Sequence, residues 1–251
     1  MAFRHNAAWV QYTHFLAFIM DYWKSSIQRL LITFLSIIVL LLAGRIFFFL
    51  DYLPTDFWEK ASWFDVISVF LSSTRFDVST ASTVILLPVL GTLLLLPFSK
   101  SLRKPWRMIT HWYSQICLCT TVLLIIMSHY YFYYYQDNFN SYFWSFWDNW
   151  QTSKIVIWSI YDELPILKLS TSLLMLLTFL NLIPKIINPL ISPLSFLFNK
   201  KVSMLLIPLV LLIGVRGTLD RLPLSMQRYR GQTSAITHLN LVHGNPYYEL
   251  Y

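Results

Sequence analysis

A run of apolar residues long enough to cross a lipid bilayer lies in the first half of the chain. Residues Thr80–Phe98 contain no charged side chain. An α-helix rises about 1.5 Å per residue, so this segment extends roughly 28 Å and matches the ~30 Å hydrocarbon core of a bilayer. Two charged residues, Arg75 and Asp77, precede it directly. The segment therefore predicts a transmembrane helix with two charges at one end.

The composition of the whole chain also indicates a membrane protein. Of the 251 residues, 56% are apolar and 12% are charged, and the mean hydropathy is +0.54. Soluble domains carry about 25% charged residues, so a water-soluble fold could not cover this much apolar surface. The net charge of +7 does not indicate nucleic-acid binding, because the Lys and Arg residues lie in short loops between apolar segments. We therefore expect lipid, and no nucleic acid, as a partner.

Four further apolar segments predict four more transmembrane helices. The five predicted spans are Ile27–Leu50, Thr80–Phe98, Ile109–Tyr130, Leu164–Ile183 and Val202–Val215. The predicted fold is thus an all-α membrane protein with five transmembrane helices. It divides into an interfacial segment (1–26), a membrane domain (27–215) and a polar linker (216–251).

Three of the segments outside these spans are expected to contain helices that lie in the membrane interface. These are Met1–Ser26, Asp51–Ser79 and Gln136–Glu163, each of which mixes aromatic and charged residues. In the third, aromatic residues recur from Phe139 to Trp150 at the spacing of one helix face. Such a helix is too polar on its other side to span and is typical of the interface plane.

The distribution of charge predicts the orientation of the chain. The segment before the first span and the second and fourth loops are net positive, whereas the first and third loops are net negative. Loops rich in Lys and Arg stay on the cytoplasmic side. The N-terminus is therefore expected in the cytoplasm and the C-terminal linker outside it.

Three charged residues at the predicted outer side allow two interpretations each. Arg45, near the end of the first span, either snorkels to the headgroups or faces inward and pairs with Asp77 or a lipid phosphate. Arg75 and Asp77 either form a local ion pair or helix cap, or recognise a lipid headgroup or a docked domain. The residues alone do not decide between these interpretations.

No catalytic, metal-binding or cofactor-binding residue is predicted in this chain. The six histidines show no spacing typical of metal ligands. There is no Gly-rich phosphate loop, no nucleophile elbow and no convincing pair of catalytic carboxylates.

Short motifs along the whole chain, taken together with the five predicted spans, resemble those of a known protein family. The motifs are Arg45–Phe48, Arg75–Ser79, Tyr131–Phe132, Phe139–Asn140, Ile157–Tyr161, Arg216–Leu219, Pro223–Leu224, Ser234, Leu239–Asn240 and Asn245–Tyr247. Together they resemble the membrane domain of lipoteichoic acid synthase and related phosphoglycerol transferases of the alkaline phosphatase (sulfatase) superfamily.

The resemblance implies a multi-pass anchor in the bacterial cytoplasmic membrane, followed outside by an α/β catalytic domain. In that family the catalytic domain binds a divalent metal, uses a threonine nucleophile and takes phosphoglycerol from phosphatidylglycerol. This chain carries neither the metal ligands nor the threonine, so the implied function is to hold a catalytic domain, on a separate polypeptide or missing from a truncated chain, at anionic lipid. The candidate headgroup contacts are Arg45, Arg75 and Arg216, with Asp77 as their partner.

Two functions of other classes remain open. One is a non-catalytic membrane protein that docks a partner protein. The other is a small transporter, although Lys168 is the one ionisable residue within the fourth predicted span and lies near its outer end.

Overall fold

A computed structural model describes residues 2–52, 57–95, 100–135 and 202–218, together with the single residues 151, 154, 158 and 170. These ranges are helical and contain no strand, so the all-α prediction is confirmed for them. The helices are α1 (Ala2–Asp51), α2 (Phe57–Lys60), α3 (Trp63–Leu95), α4 (Lys100–Tyr135) and α5 (Ser203–Arg216).

Three of these helices are long and apolar enough to cross a membrane. Their candidate spans are Met20–Asp51, Trp63–Leu95 and Ser101–Tyr133. α5 matches the fifth predicted span, but its 14 residues extend only about 21 Å. The fourth predicted span except residue 170, the interfacial stripe between residues 139 and 150, and most of the C-terminal linker lie outside the described residues. The described part thus contains three helices that are long and apolar enough to span a membrane, which indicates a membrane protein.

The long helices extend beyond the predicted spans. α1 continues without a break through the segment predicted to lie on the membrane surface, and α4 already includes the basic loop from residue 100. α3 begins at Trp63 rather than Thr80, so the prediction of a separate helix over most of residues 51–79 is wrong. The physical reason is a capping box, in which the Asp65 carboxylate accepts from the Ser62 N–H at 2.9 Å while the Asp65 N–H donates to Ser62 Oγ at 3.3 Å.

Contacts along the helices give their relative directions. α1 and α3 are antiparallel, because Arg45 meets Asp77 at one end of the contact and Ile27 clusters with Val89 at the other. α4 runs parallel to α1. The Tyr22 hydroxyl donates to the Arg103 carbonyl at 3.4 Å, and far along both helices the Tyr52 hydroxyl donates to the carbonyl of His129 at 3.2 Å.

α5 packs antiparallel to α3 and starts beside the first candidate span. The indole of Trp23 donates to Ser203 Oγ at 3.2 Å, while at the other end of α5 the hydroxyl of Ser79 donates to the Val215 carbonyl at 2.7 Å. α1, α4 and α5 therefore point in one direction and α3 in the opposite one.

Side-chain hydrogen bonds join the helices, as is usual within membranes. The Tyr113 hydroxyl donates to the Val84 carbonyl at 2.8 Å, and the Trp106 indole donates to Thr92 Oγ1 at 3.0 Å. Large apolar side chains cover the outside of the bundle, as expected for a surface that faces lipid. Examples are Leu87, Leu94, Met108, Ile116, Leu205 and Val210.

The two ends of the bundle differ in charge. We call the end that carries Asp51, Glu59 and Asp65 the acidic end, although Lys60, Arg75 and Arg216 also lie towards it. The end that carries Lys24, Arg29, Arg103, Lys104 and Arg107, together with Asp21, is the basic end. α1 and α4 both run from the basic end to the acidic end, since their contacts follow the same order along each helix. The described cations near the starts of the candidate spans in α1 and α4 thus lie together at one end of the bundle.

Candidate functional site

A buried ion pair joins α1 to α3 towards the acidic end. Arg45 Nη1 lies 2.6 Å from Asp77 Oδ2, and Nη2 lies 2.8 Å from Oδ1, so the contact is bidentate. The two side chains are 2% and 0% exposed. The interpretation in which Arg45 faces inward and pairs with Asp77 is confirmed. Snorkelling of Arg45 and a helix-capping role of Asp77 are both wrong, because Asp77 lies in the middle of α3.

The pair fixes the register of α1 against α3. A planar guanidinium that faces a carboxylate in this way is directional as well as strong. Removal of one partner from a buried ion pair costs roughly 3–5 kcal/mol. We therefore assign the contact between Arg45 and Asp77 to helix packing.

The last turn of α5 packs tightly on α3 next to this pair. A Cβ atom at Gly214 would collide with the hydroxyl of Ser82. Gly217 ends the helix with φ 69°, a left-handed conformation that favours glycine, and its N–H donates to the carbonyls of Gly214 and Ile213. Gly214 and Gly217 thus set both the closeness of α5 to α3 and the point where the chain leaves the helix.

An open cavity of about 320 Å³ lies between α3 and the end of α5. We call it the Arg75 groove. Its lining residues come from both helices and from the residues after α5: Leu71, Thr74, Arg75, Val78, Ile213, Gly214, Gly217 and Thr218. Its volume lies at the lower end of the range for small-molecule sites. Arg75 is an exposed cation on its wall, and the hydroxyl of the neighbouring Thr74 donates to the Phe70 carbonyl at 2.8 Å.

The four residues selected from the sequence occupy three different environments. Arg45 and Asp77 bind each other in the interior, whereas Arg75 lines the groove and is exposed. Arg216 is exposed at the last position of α5, next to the groove residues Gly217 and Thr218. The structure thus brings Arg75 and the start of the exit segment together.

Sequence inspection did not identify Thr74, Gly214 or Thr218 as part of this site. Gly217 was recognisable as a helix end, because a glycine after an apolar run is a common C-cap. The lining on the α5 side could not be foreseen, because it depends on the packing of α5 against residues that precede it by more than a hundred positions.

A cluster of aromatic side chains with one histidine lies at the acidic end. His129 Nε2 is 3.1 Å from Asp51 Oδ2, and the rings of Phe48, Tyr52 and Phe132 pack against one another. Burial raises the pKa of the Tyr52 hydroxyl, and the nearby Asp51 carboxylate adds to this shift. Within the described residues there is no group of three His, Cys, Asp or Glu side chains that could hold a metal ion.

No protein-family model, no curated protein and no solved structure matches this chain. Its function must therefore be inferred from the geometry of the helices and from the sequence motifs.

Proposed function

We propose that residues 27–215 form a five-span membrane domain that holds an extracytoplasmic catalytic domain of the sulfatase superfamily at anionic lipid. In this proposal the Arg75 groove receives the phosphate headgroup of a lipid such as phosphatidylglycerol. The chain itself supplies anchoring and lipid presentation, and the metal-dependent transfer of phosphoglycerol belongs to the catalytic domain.

The position of the groove carries the proposal. One wall comes from α3 with Arg75, and the opposite wall includes Gly217 and Thr218, the first residues after α5. A headgroup bound in the groove would thus touch the point where the polypeptide leaves the membrane domain. A catalytic domain attached or docked there would meet its lipid substrate at short range.

The chemistry of the groove suits a phosphodiester lipid. A guanidinium offers a fork of N–H donors that matches phosphate oxygens. Leu71 and Ile213 line the same groove and are exposed, which suits the glycerol and upper acyl carbons of a lipid. Polar and apolar parts of the lining thus correspond to the two parts of the ligand.

The helix directions support five spans with opposite ends of the chain on opposite sides. α4 ends at the acidic end, whereas α5 starts beside Trp23, towards the basic end. We propose that a fourth span within residues 136–201 connects these two ends by a return crossing. Leu164–Ile183 is apolar over about 30 Å as a helix, which is enough for that return crossing. With the basic end in the cytoplasm, the acidic end and the Arg75 groove face outward.

Binding of phosphatidylglycerol to the purified full chain tests the lipid-presenting role. We expect Arg75→Ala to weaken binding about tenfold and Arg216→Ala to weaken it less, since a hydrogen bond to a charged group contributes roughly 1.5–3 kcal/mol. Lys104→Ala, which removes an exposed cation at the other end, is the matched control and should leave this site unchanged. Unchanged affinity in both the Arg75 and Arg216 variants would remove lipid presentation from the proposal.

The anchoring role has a separate test. A reporter enzyme fused after Tyr251 should be active outside the cytoplasm. A reading frame of sulfatase type, with a metal-binding Asp and a Thr nucleophile, is expected to continue or adjoin the gene, and its absence would favour a non-catalytic membrane protein.

A further inference from the structure

Three arginines from two helices converge at the basic end of the bundle. Arg29 Nε donates to the Ser25 carbonyl at 3.2 Å, and Arg107 Nη2 lies 3.5 Å from Ser25 Oγ. The guanidinium carbon of Arg103 lies 5.5 Å from the centre of the Tyr22 ring, and Tyr22 is one helical turn from Ser25. Two cations thus bind one serine, and the third stacks on a ring beside it.

This arrangement brings like charges close together. The positive charges of Arg29 and Arg107 repel each other. The Tyr22 hydroxyl interacts electrostatically with all three arginines, Arg29, Arg103 and Arg107. Among the residues that the structure describes, no carboxylate forms an ion pair with Arg29 or Arg107. The Nη2 group of Arg29 is buried and has no hydrogen-bond acceptor within the same ranges. A buried donor on a cation is costly, so an anion that accepts from it would stabilise the cluster.

The location of basic residues at the start of α4 also favours the binding of an anion. Arg103 and Lys104 lie near the start of this helix, and its first turn contains no acidic residue. The positive end of a helix dipole disfavours cations at that place. Basic pockets between transmembrane helices on the cytoplasmic side are known to hold anionic headgroups.

The surroundings of the cluster favour a lipid over a soluble anion. Leu102, Met108 and Ile109 flank the arginines on α4, and their side chains are 47%, 64% and 55% exposed. They belong to the apolar surface that faces lipid, so a phosphate held by Arg29 and Arg107 would have acyl chains beside this surface. Trp106, between the same residues, has the amphipathic character typical of the membrane interface.

We propose that Arg29 and Arg107, with Arg103 behind them, bind the phosphate of an anionic phospholipid that bridges α1 and α4 at the basic end. This site is separate from the Arg75 groove and belongs to the opposite leaflet. It does not depend on the proposed function, since a membrane protein of any activity could use such a lipid to hold two helices together.

Native mass spectrometry of the full chain in neutral detergent tests this proposal. The protein is titrated with phosphatidylglycerol and, in parallel, with phosphatidylcholine of the same acyl chains. We expect selective binding of phosphatidylglycerol, and a dissociation constant at this site that rises about tenfold in Arg107→Gln and in Arg29→Gln. Lys104→Gln removes the same charge from an exposed neighbour on α4 and should change the constant by less than about twofold.

Several outcomes separate this site from its alternatives. Equal phosphatidylglycerol binding by the wild type and both arginine variants would overturn the proposal, as would equal binding of the two lipids. Displacement of phosphatidylglycerol by millimolar inorganic phosphate would overturn the assignment to a lipid and leave a soluble phosphate as the ligand.

Folding and the other proposed site are controlled within the same experiment. Arg107 is exposed, so its variant should remain folded even if Arg29→Gln does not, and Arg107→Gln then decides alone. Arg75→Ala should remove a different bound lipid, so failure at one site is distinguishable from failure at the other.

Discussion

The arginines at the two ends of the bundle differ in whether a carboxylate of the described chain neutralises them. Towards the acidic end, Arg45 is buried and both of its terminal nitrogens bind the carboxylate of Asp77. At the basic end, Arg29 and Arg107 crowd around Ser25, and no described carboxylate pairs with them. The Arg45–Asp77 ion pair therefore stabilises helix packing. The Arg29–Arg107 cluster, which has no described carboxylate partner, instead indicates a site for an anionic ligand.

The largest expected effect comes from breaking the matched pair. Asp77→Asn keeps the shape of the side chain but removes the negative charge that both terminal nitrogens of Arg45 bind in the interior, so we expect a loss of roughly 3–5 kcal/mol in the free energy of unfolding. Thermal unfolding of the detergent-purified protein, followed by tryptophan fluorescence, measures this loss.

A double variant provides the control for that result. Arg45→Met combined with Asp77→Leu removes both charges and fills a similar volume, so it should be close to the wild type in stability. If the single and the double variant were equally unstable, the ion pair would not be what holds α1 to α3.

A smaller effect, with opposite signs under two conditions, is expected at the basic end. In neutral detergent without lipid, Arg107→Gln relieves repulsion with Arg29 and should raise the unfolding temperature by about 1–2 °C. With phosphatidylglycerol added, the wild type gains stability from the bound lipid and the variant does not, so the order reverses. An arginine that only stabilised the fold would lower stability under both conditions when replaced.

The smallest effect is expected at the exposed pair of Asp51 with His129. The Asp51 side chain is 58% exposed, so water and salt screen its attraction to the imidazole. Asp51→Asn should change the free energy of unfolding by less than about 1 kcal/mol. A loss as large as that in Asp77→Asn would mean that burial does not explain the difference between the two pairs.

Apolar segment length was sufficient to predict where the long spans of α1, α3 and α4 lie. The starts of α3 and α4 were not predicted, because charged residues such as Asp65 and Arg103 suggested loops. In α3 the information was present in the chain as the capping box from Ser62 to Asp65, which marks a helix start even in a polar context.

The two sites differ in how far they could be foreseen. Pairing of Arg45 with Asp77 was one of two open interpretations, because both residues stand near the same predicted membrane surface. The cluster of Arg29 with Arg107 was not foreseen, since it depends on α1 and α4 packing in parallel, and no local pattern encodes that contact. The groove beside Arg75 likewise depends on how α5 packs on α3.

The comparison of the two ends is tested most directly by cysteine accessibility in intact cells. Cys117 and Cys119 are first replaced by serine, and a single cysteine is then introduced as Trp63→Cys at the acidic end or as Lys104→Cys at the basic end, both exposed positions. We expect a membrane-impermeant thiol reagent to label the cysteine at position 63 in intact cells and the one at position 104 only after lysis. Labelling of position 104 in intact cells, or of both positions alike, would contradict the orientation on which the placement of both lipid sites depends.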